Sequence, residues 1–383
     1  MTRRLRVGVV YGGRSGEHEV SLRSAATVIG AFDPARFEVV PIAITKDGRW
    51  LTGPESLRLL EEAQRTLAPV PEHGLEVMLP PVPSGGGLVP AAGGVAGSAL
   101  DVVFPVLHGT YGEDGTIQGL LELAGVPYVG AGVLASAAGM DKAVMKAVFR
   151  DAGIEVVPWI VARPETEPVQ EVRARVAAAF GFPCFVKPCN LGSSVGISKV
   201  KSPDALGAAL AEAAAYDPRV IVEQAIEARE FECGVLGNEH AEASVVGELV
   251  PSHEFYDYVD KYVEDGARIV IPAELPAEIA ETIRALALRA FHAVDGSGLA
   301  RVDFFLERGT NRVLVNEINT MPGFTRVSQY PRLWEASGVP LPALVERLVA
   351  LALERHAARG RRRLSFNPPG PVSAVSRSSQ GGR

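Results

Sequence analysis

From Arg6 to about Asp141, apolar runs alternate with amphipathic stretches. RVGVVYGG is a continuous apolar strand ending in glycines, and SLRSAATVIGAF has helical spacing with a serine at its start. FEVVPIAI and LDVVFPVL are again strand-like, while GTIQGLLELAG is a short helix stopped by Gly125. Continuous apolar strands separated by helices predict a parallel sheet covered on both faces. Between Ala68 and Ser98 the chain is rich in Pro and Gly, and strands resume directly afterwards. That stretch reads as a surface excursion within the domain, not a linker.

A second unit opens near Met140. DKAVMKAVFRDAG and VQEVRARVAAAFG are helical, and FPCFVKP and VGISKV flank the small-residue loop CNLGSS. VIVEQAI and EFECGVLG follow as strands. HEFYDYVDKYVEDGARIVIP lacks either period and reads as a lid-like loop dense in Tyr and acid, with a plain exposed loop as the alternative. AEIAETIRALALRAFHAV is a long amphipathic helix, and LPALVERLVALALERHAA closes the fold as another. The boundaries expected are 1–141, 142–222 and 223–359, with a basic, Pro/Ser/Gly-rich tail over 360–383 that carries no core-forming pattern.

RVDFFLE and RVLVNEIN alternate with period two around the turn signal RGTN, which predicts a β-hairpin. With the turn centred near Thr310, Asp303 lies opposite Glu317 and Arg301 opposite Asn319, all on one face; Leu306, Leu314 and Ile318 fill the other. Two acids facing each other repel unless a cation sits between them. Two carboxylates and an amide suit a hard ion such as Mg²⁺ beside a phosphate. An edge hairpin with a solvated polar face is the plain alternative, but here the polar run continues into the irregular MPGFT loop.

Other segments carry weaker signals. Lys187 ends a strand before a loop of Gly and Ser, whose bare backbone can approach phosphate oxygens. The spacing is not that of a P-loop, and a flexible hairpin turn is the alternative. Gly12, Gly13 and Gly16 do not form GxGxxG, which disfavours a nicotinamide-binding dehydrogenase. Glu17 and Glu19 beside that turn either bind an ammonium group or favour a helix start. His108 sits at the carboxyl end of a strand, facing the crevice, while Glu113 and Asp114 read as helix-dipole and capping residues.

Composition narrows the classes. A net charge of −7 with no basic stripe argues against a nucleic-acid binder. Cys184, Cys189 and Cys233 have neither metal-ligand spacing nor an even count, which fits a reducing compartment. No run approaches the length of a transmembrane helix, and a cytoplasmic protein is expected.

Taken in order, GGRSGEHEVS, HGTYGEDGTIQG, MDK, VKPCNLGSSVGISKV, VEQAIEAREFE, FYDYVDKY, RVDFF and NEINTMPGFTRVSQYP resemble the ATP-grasp superfamily, and within it the D-alanine–D-alanine ligases. The likeness runs from about Arg6 to Ala358 and leaves the Pro/Gly stretch and the tail unmatched. It implies an N-terminal α/β domain followed by two ATP-grasp subdomains with ATP between them. Lys142 and Lys187 would contact phosphates or the adenine side, Glu223, Gln224 and Ile226 would line the adenine pocket, and Glu230 would hold the ribose. Asp303, Glu317 and Asn319 would bind two Mg²⁺ (or Mn²⁺), with Glu317 bridging. Arg301 and the Gly323 N–H would stabilise a tetrahedral oxyanion.

The resemblance also implies the substrates, two D-alanine molecules activated through an acyl phosphate for cell-wall precursor synthesis. Glu17, fixed by Ser193 and Tyr262, would hold the first ammonium, with His108 near its carboxylate. Ser328 and Lys261 would fix the second carboxylate. Tyr262 stands where the related D-alanine–D-lactate ligases usually carry histidine, so the dipeptide-forming type is expected. Gln329 departs from the family's usual apolar residue; its backbone N–H can still serve. A homodimer is common in the family. The alternatives are a D-lactate or D-serine ligase, another ATP-grasp carboxylate–amine ligase, and a non-catalytic ATP-binding protein. The last would be expected to lack Arg301, Asp303 or Glu317, and all are present.

Overall fold

The computed structural model describes residues 3–53, 56, 60, 74–83, 87–93, 97, 99–250 and 268–363. Three sheets organise them. The first is built on β1 (Leu5–Gly12), with β2 (Phe37–Ile44) and β6 (Val102–Val106) parallel on either side. Its strands are apolar throughout because helices cover them, among them α1 (His18–Ala31) and α2 (Thr116–Ala124).

The sheet is mixed, not purely parallel. β3 (Trp50–Thr52), β4 (Leu75–Met78) and β5 (Val89–Pro90) extend it antiparallel beyond β2. The reversal after β2 follows from Asp47-Gly48, where Gly48 has φ +96° and its N–H donates to the Thr45 carbonyl (3.1 Å). The described parts of the Pro/Gly-rich stretch therefore add strands to the sheet edge.

After α3 (Val133–Met140) and α4 (Lys142–Asp151), a four-stranded antiparallel sheet has the order β7 (Trp159–Ala162), β10 (Val220–Gln224), β8 (Cys184–Pro188), β9 (Ser198–Val200). It is backed by α5 (Val169–Ala179) and α6 (Leu206–Ala214). Asp141 starts α4 as an N-cap, its carboxylate accepting from the N–H groups of Ala143 (3.1 Å) and Val144 (2.9 Å). Glu223 and Gln224 belong to this sheet, so a boundary after residue 222 cuts through β10.

The third sheet orders β13 (Arg268–Val270), β12 (Glu242–Val250), β11 (Ala228–Gly237), β14 (Gly298–Glu307) and β15 (Val313–Asn319). One face packs on α7 (Ala277–Ala293) through Phe231, Val302, Phe304, Val315 and Ile318. The other face carries the polar residues. α8 (Gln329–Ala336) and α9 (Leu341–Gly360) return the chain to the first sheet, where Leu344, Leu348 and Ala352 join one core with Val7, Phe104 and Leu22. Arg355 locks this return by stacking on Tyr128 (4.2 Å) and donating to its carbonyl (3.2 Å). Among the described residues no single helix is long and apolar enough to cross a membrane.

Candidate active site

The β14–β15 ladder pairs Arg301 with Asn319 and Asp303 with Glu317, as the alternation predicts. One expectation fails. The register slips between Asp303 and Phe304, leaving Asn316 as an extra residue on β15. Val315, not Leu314, then stands opposite Phe304 in the apolar layer, and Leu314 pairs with Phe305 on the same side as Asp303. The bulge inverts the parity of every β15 residue on the tip side of it, while Leu306 on β14 keeps its place in the apolar layer.

On the polar face, Arg301 grips Asp303 with both arms, Nε to Oδ1 at 2.7 Å and Nη2 to Oδ2 at 2.8 Å. Its Nε also lies 3.2 Å from the carboxylate of Glu232, which stands opposite Asp303 on β11. Asn319 Nδ2 donates to Asp303 Oδ2 (3.0 Å). Burial alone would lower the Arg301 pKa, but Asp303 and Glu232 outweigh it and push it well above the ordinary guanidinium value.

Lys142 joins this rung to the loop between β8 and β9. Its Nζ is 3.6 Å from Glu317 Oε2 and donates to the Leu191 carbonyl (2.8 Å). The loop reaches onward to the N-terminal sheet, where the Ser193 hydroxyl donates to Glu17 Oε1. A Cβ on Gly192 would stand 2.9 Å from Glu17 Oε2, and Ser193 and Ser194 adopt left-handed backbone (φ +53° and +58°). Glu17 therefore faces the loop, whereas Glu19 pairs with Lys46 (2.6 Å) outside the site.

Behind the rung lies a buried triad. Glu223 bridges Lys187 Nζ (2.5 Å) and Lys146 Nζ (2.9 Å). Burial would raise the Glu223 carboxyl, but the two ammonium groups outweigh it and hold it at about 2. Lys187 is raised because Glu223, Glu317 and Glu230 overcome its own burial. Lys146 is lowered, burial winning over Glu223; it packs fully inside α4's inner face. A depressed carboxylate stabilises the fold above the usual carboxylate range, and that stability is lost as pH falls towards 2. Lys146→Met is expected to lower stability by about 1–3 kcal/mol, because Lys187 still pairs Glu223. Urea unfolding of parent and variant measures this, and a loss beyond that range would mean Lys146 is the principal partner.

Gln224 and Ile226 lie where β10 leaves its sheet for β11, with the Gln224 N–H donating to the Pro158 carbonyl (3.0 Å). Glu230 follows on β11, on the same face as Glu232. Ser328 precedes α8 and turns its hydroxyl back to accept from the Thr325 N–H (3.0 Å); a Cβ on Gly323 would meet that hydroxyl at 2.7 Å. The Gln329 side chain is buried against the Glu232 carboxylate. Lys261 and Tyr262 lie outside the described residues.

Glu113 is not a helix cap. The cap position of α2 is Gly115, and it is Asp114 beside it that accepts from the N–H groups of Tyr111 (2.8 Å) and Thr116 (3.0 Å), the first helical residue. Glu113 points inward, where burial and then Glu17 push its carboxyl up to about 8. Glu113, Lys146 and Glu232 were not among the residues expected from the sequence. Lys146 had a signal, since it stands one helical turn after Lys142.

The donor set of Asp303, Glu317 and Asn319 is all oxygen and anionic overall, which fits a hard divalent cation and not a thiophilic one. Among the described residues no cluster of three His, Cys, Asp or Glu side chains gathers for a metal, so substrate oxygens would have to complete the shell.

The family model for the "D-ala D-ala ligase N-terminus" matches residues 6–131, and that for the "D-ala D-ala ligase C-terminus" matches residues 148–350. The chain belongs to the D-alanine–D-alanine ligase family. A member from Geobacillus kaustophilus is 49% identical over 361 residues (92% of this chain, 95% of the relative). D-alanine–D-alanine ligase A of Bradyrhizobium diazoefficiens is 52% identical over 366 residues (94% and 98%). Among solved structures of this ligase family, the Coxiella burnetii enzyme superposes with a TM-score of 0.81 at 38% identity, covering 94% of this chain and 97% of that one. The VanG D-Ala:D-Ser ligase of Enterococcus faecalis also gives 0.81, at 34% identity and 91% and 100% coverage. The fold is thus that of the ATP-grasp ligases with an N-terminal α/β domain.

Proposed function

We propose that the chain is an ATP-dependent ligase that joins two D-alanine molecules into D-alanyl-D-alanine through an acyl phosphate, releasing ADP and phosphate. The observation that carries the reading is one continuous contact path. Asp303 and Glu317 face each other, Lys142 ties Glu317 to the β8–β9 loop, and that loop lies on Glu17.

Each residue then has a task. Glu17, steadied by Ser193, receives the ammonium of the first D-alanine and leaves its carboxylate towards Lys142 and Lys187. Those lysines hold phosphate oxygens, Glu223, Gln224 and Ile226 line the adenine, and Glu230 takes the ribose hydroxyls. Two Mg²⁺ (or Mn²⁺) on Asp303, Glu317 and Asn319 would offset the charge on the transferring phosphoryl group. The amine of the second D-alanine forms the C–N bond and the acyl C–O bond to phosphate breaks. Arg301 and the Gly323 N–H stabilise the oxyanion on that carbon, and each such donor contributes about 3–4 kcal/mol in typical sites. Ser328 and Lys261 hold the second carboxylate, and Tyr262 completes the support of Glu17.

A division into three units, with the second boundary moved from residue 222 to the end of β10 at Gln224, a homodimeric state and a cytoplasmic setting belong to the same proposal and rest on the family resemblance. Phosphate release from ATP tests the reaction: release should depend on D-alanine and on a divalent cation. Release indifferent to D-alanine would overturn the reading. Supplying D-lactate or D-serine alongside D-alanine tests the acceptor, and preferential mixed product would replace D-alanine in the second site.

A further inference from the structure

The Met321–Phe324 segment belongs to the loop after β15, yet side chains of the N-terminal unit hold it. The Met321 N–H donates to Glu113 Oε1 (3.3 Å), while Glu113 Oε2 accepts from the Gly109 N–H (2.7 Å). The Met321 carbonyl lies 3.1 Å from His108 Nδ1. The Phe324 N–H donates to the Ser24 hydroxyl (3.1 Å), which is 3.0 Å from His108 Nε2.

The proton positions follow from chemistry. A carbonyl can only accept, so His108 Nδ1 carries a hydrogen. Burial lowers the His108 pKa and keeps the ring neutral, so Nε2 accepts from the Ser24 hydroxyl. That hydroxyl in turn accepts from Phe324. Both ring nitrogens of His108 are therefore engaged by protein.

Apolar anchors flank the grip. Met321 and Phe324 are buried in the core shared with the first sheet, and Phe324 meets Phe104 edge-on at 5.9 Å and Tyr330 at 5.6 Å. Gly323 lies between these anchors, where a Cβ would stand 2.7 Å from Ser328 Oγ. The same loops 108–113 and 12–17 carry Glu17 and the residues around it. A backbone fixed at both ends by another unit has one position relative to that unit.

We propose that Ser24, His108 and Glu113 form a clamp on the backbone of residues 321–324, and act as positioning residues that set where the Gly323 N–H stands relative to Glu17. This rests on the reading of Gly323 as an oxyanion donor and assigns the three side chains to the amide-forming step. His108 then serves the substrate through the loop, not by contact with its carboxylate.

Because the clamp serves the second step, its loss should separate the two half-reactions. Scrambling of an isotopic oxygen label from the β–γ bridge of ATP reports acyl-phosphate formation alone; dipeptide yield reports both steps. Glu113→Gln keeps the volume but turns an amide N–H₂ towards one of the two donors, and Ser24→Ala removes the link between His108 and Phe324. Each is expected to lower kcat for dipeptide at least about tenfold, since a displacement of about 1 Å can cost about a hundredfold. Label scrambling should fall less than about threefold, with the KM for ATP unchanged. The double variant should lose less than the product of the single losses, because both grip one segment. Thermal melting verifies that each variant is folded; a variant that unfolds is replaced by His108→Asn, read the same way. Scrambling and ligation falling in parallel, or neither falling, would overturn the clamp. D-alanine-independent scrambling in the parent protein would overturn the functional reading instead.

Discussion

Glu317→Gln should reduce dipeptide formation by at least about a thousandfold while leaving the fold intact. Its carboxylate faces Asp303 across the ladder and has Lys142 at 3.6 Å. Asp303 is taken at both oxygens by the guanidinium and by Asn319, so the amide substitution removes the negative charge best placed to receive a cation. A thousandfold is about 4 kcal/mol of barrier, in the range that charge stabilisation by a bound divalent ion supplies. The side chain is a quarter exposed, so the cost in stability should be small. Rates measured across a Mg²⁺ titration check this, and a variant within tenfold of the parent at saturating Mg²⁺ would remove Glu317 from the cation site.

Arg301→Met should be damaging in two separable ways. The guanidinium lies between Glu232 and Asp303, which stand directly opposite each other on β11 and β14. Deleting the cation leaves the buried Glu232 and the half-buried Asp303 carboxylates face to face, and breaking a buried pair typically costs about 3–5 kcal/mol. Catalysis should fall a further hundredfold or more through the lost oxyanion donor. In the variant one acid would take up a proton more readily than in the unfolded chain. That contribution is present at mildly acidic pH and disappears as pH rises, so the deficit against the parent should widen from about pH 5 to pH 8. Mg²⁺ should return part of the stability by supplying the missing positive charge. Melting curves across pH, with and without Mg²⁺, give the answer; a pH-independent deficit would mean that Glu232 and Asp303 do not face each other uncompensated.

How much of this was legible in the sequence depended on whether the signal was local. The pairing of Asp303 with Glu317 could be read because alternation and the RGTN turn fix register within one hairpin. The bulge at Asn316 could not, since VLVNEIN alternates to the eye whether or not a residue is looped out. The antiparallel edge of the first sheet was signalled by Asp47-Gly48, a turn that the apolar runs on either side overshadowed. The inward turn of Glu113 is not legible because a carboxylate near a helix start has an ordinary explanation, and only tertiary structure shows that it accepts from Gly109 and Met321 while Asp114 takes the first helical N–H. Glu232 looks like the exposed residue of an alternating strand; its burial comes from α8 folding back over β11. The N-terminal helices and the long closing helix are plain because of their apolar faces, with Gly125 and Arg361 marking the stops of two of them.

The looped-out Asn316 makes the hairpin two mechanically separate pieces. The turn beyond it can be lengthened, trimmed or fused to a tag, and the acids at its base will keep their aim. Deleting that one asparagine would close the ladder into continuous phase: Asp303–Glu317 and Phe304–Val315 stay opposite each other, so the acids keep their side of the sheet and only the local kink is lost.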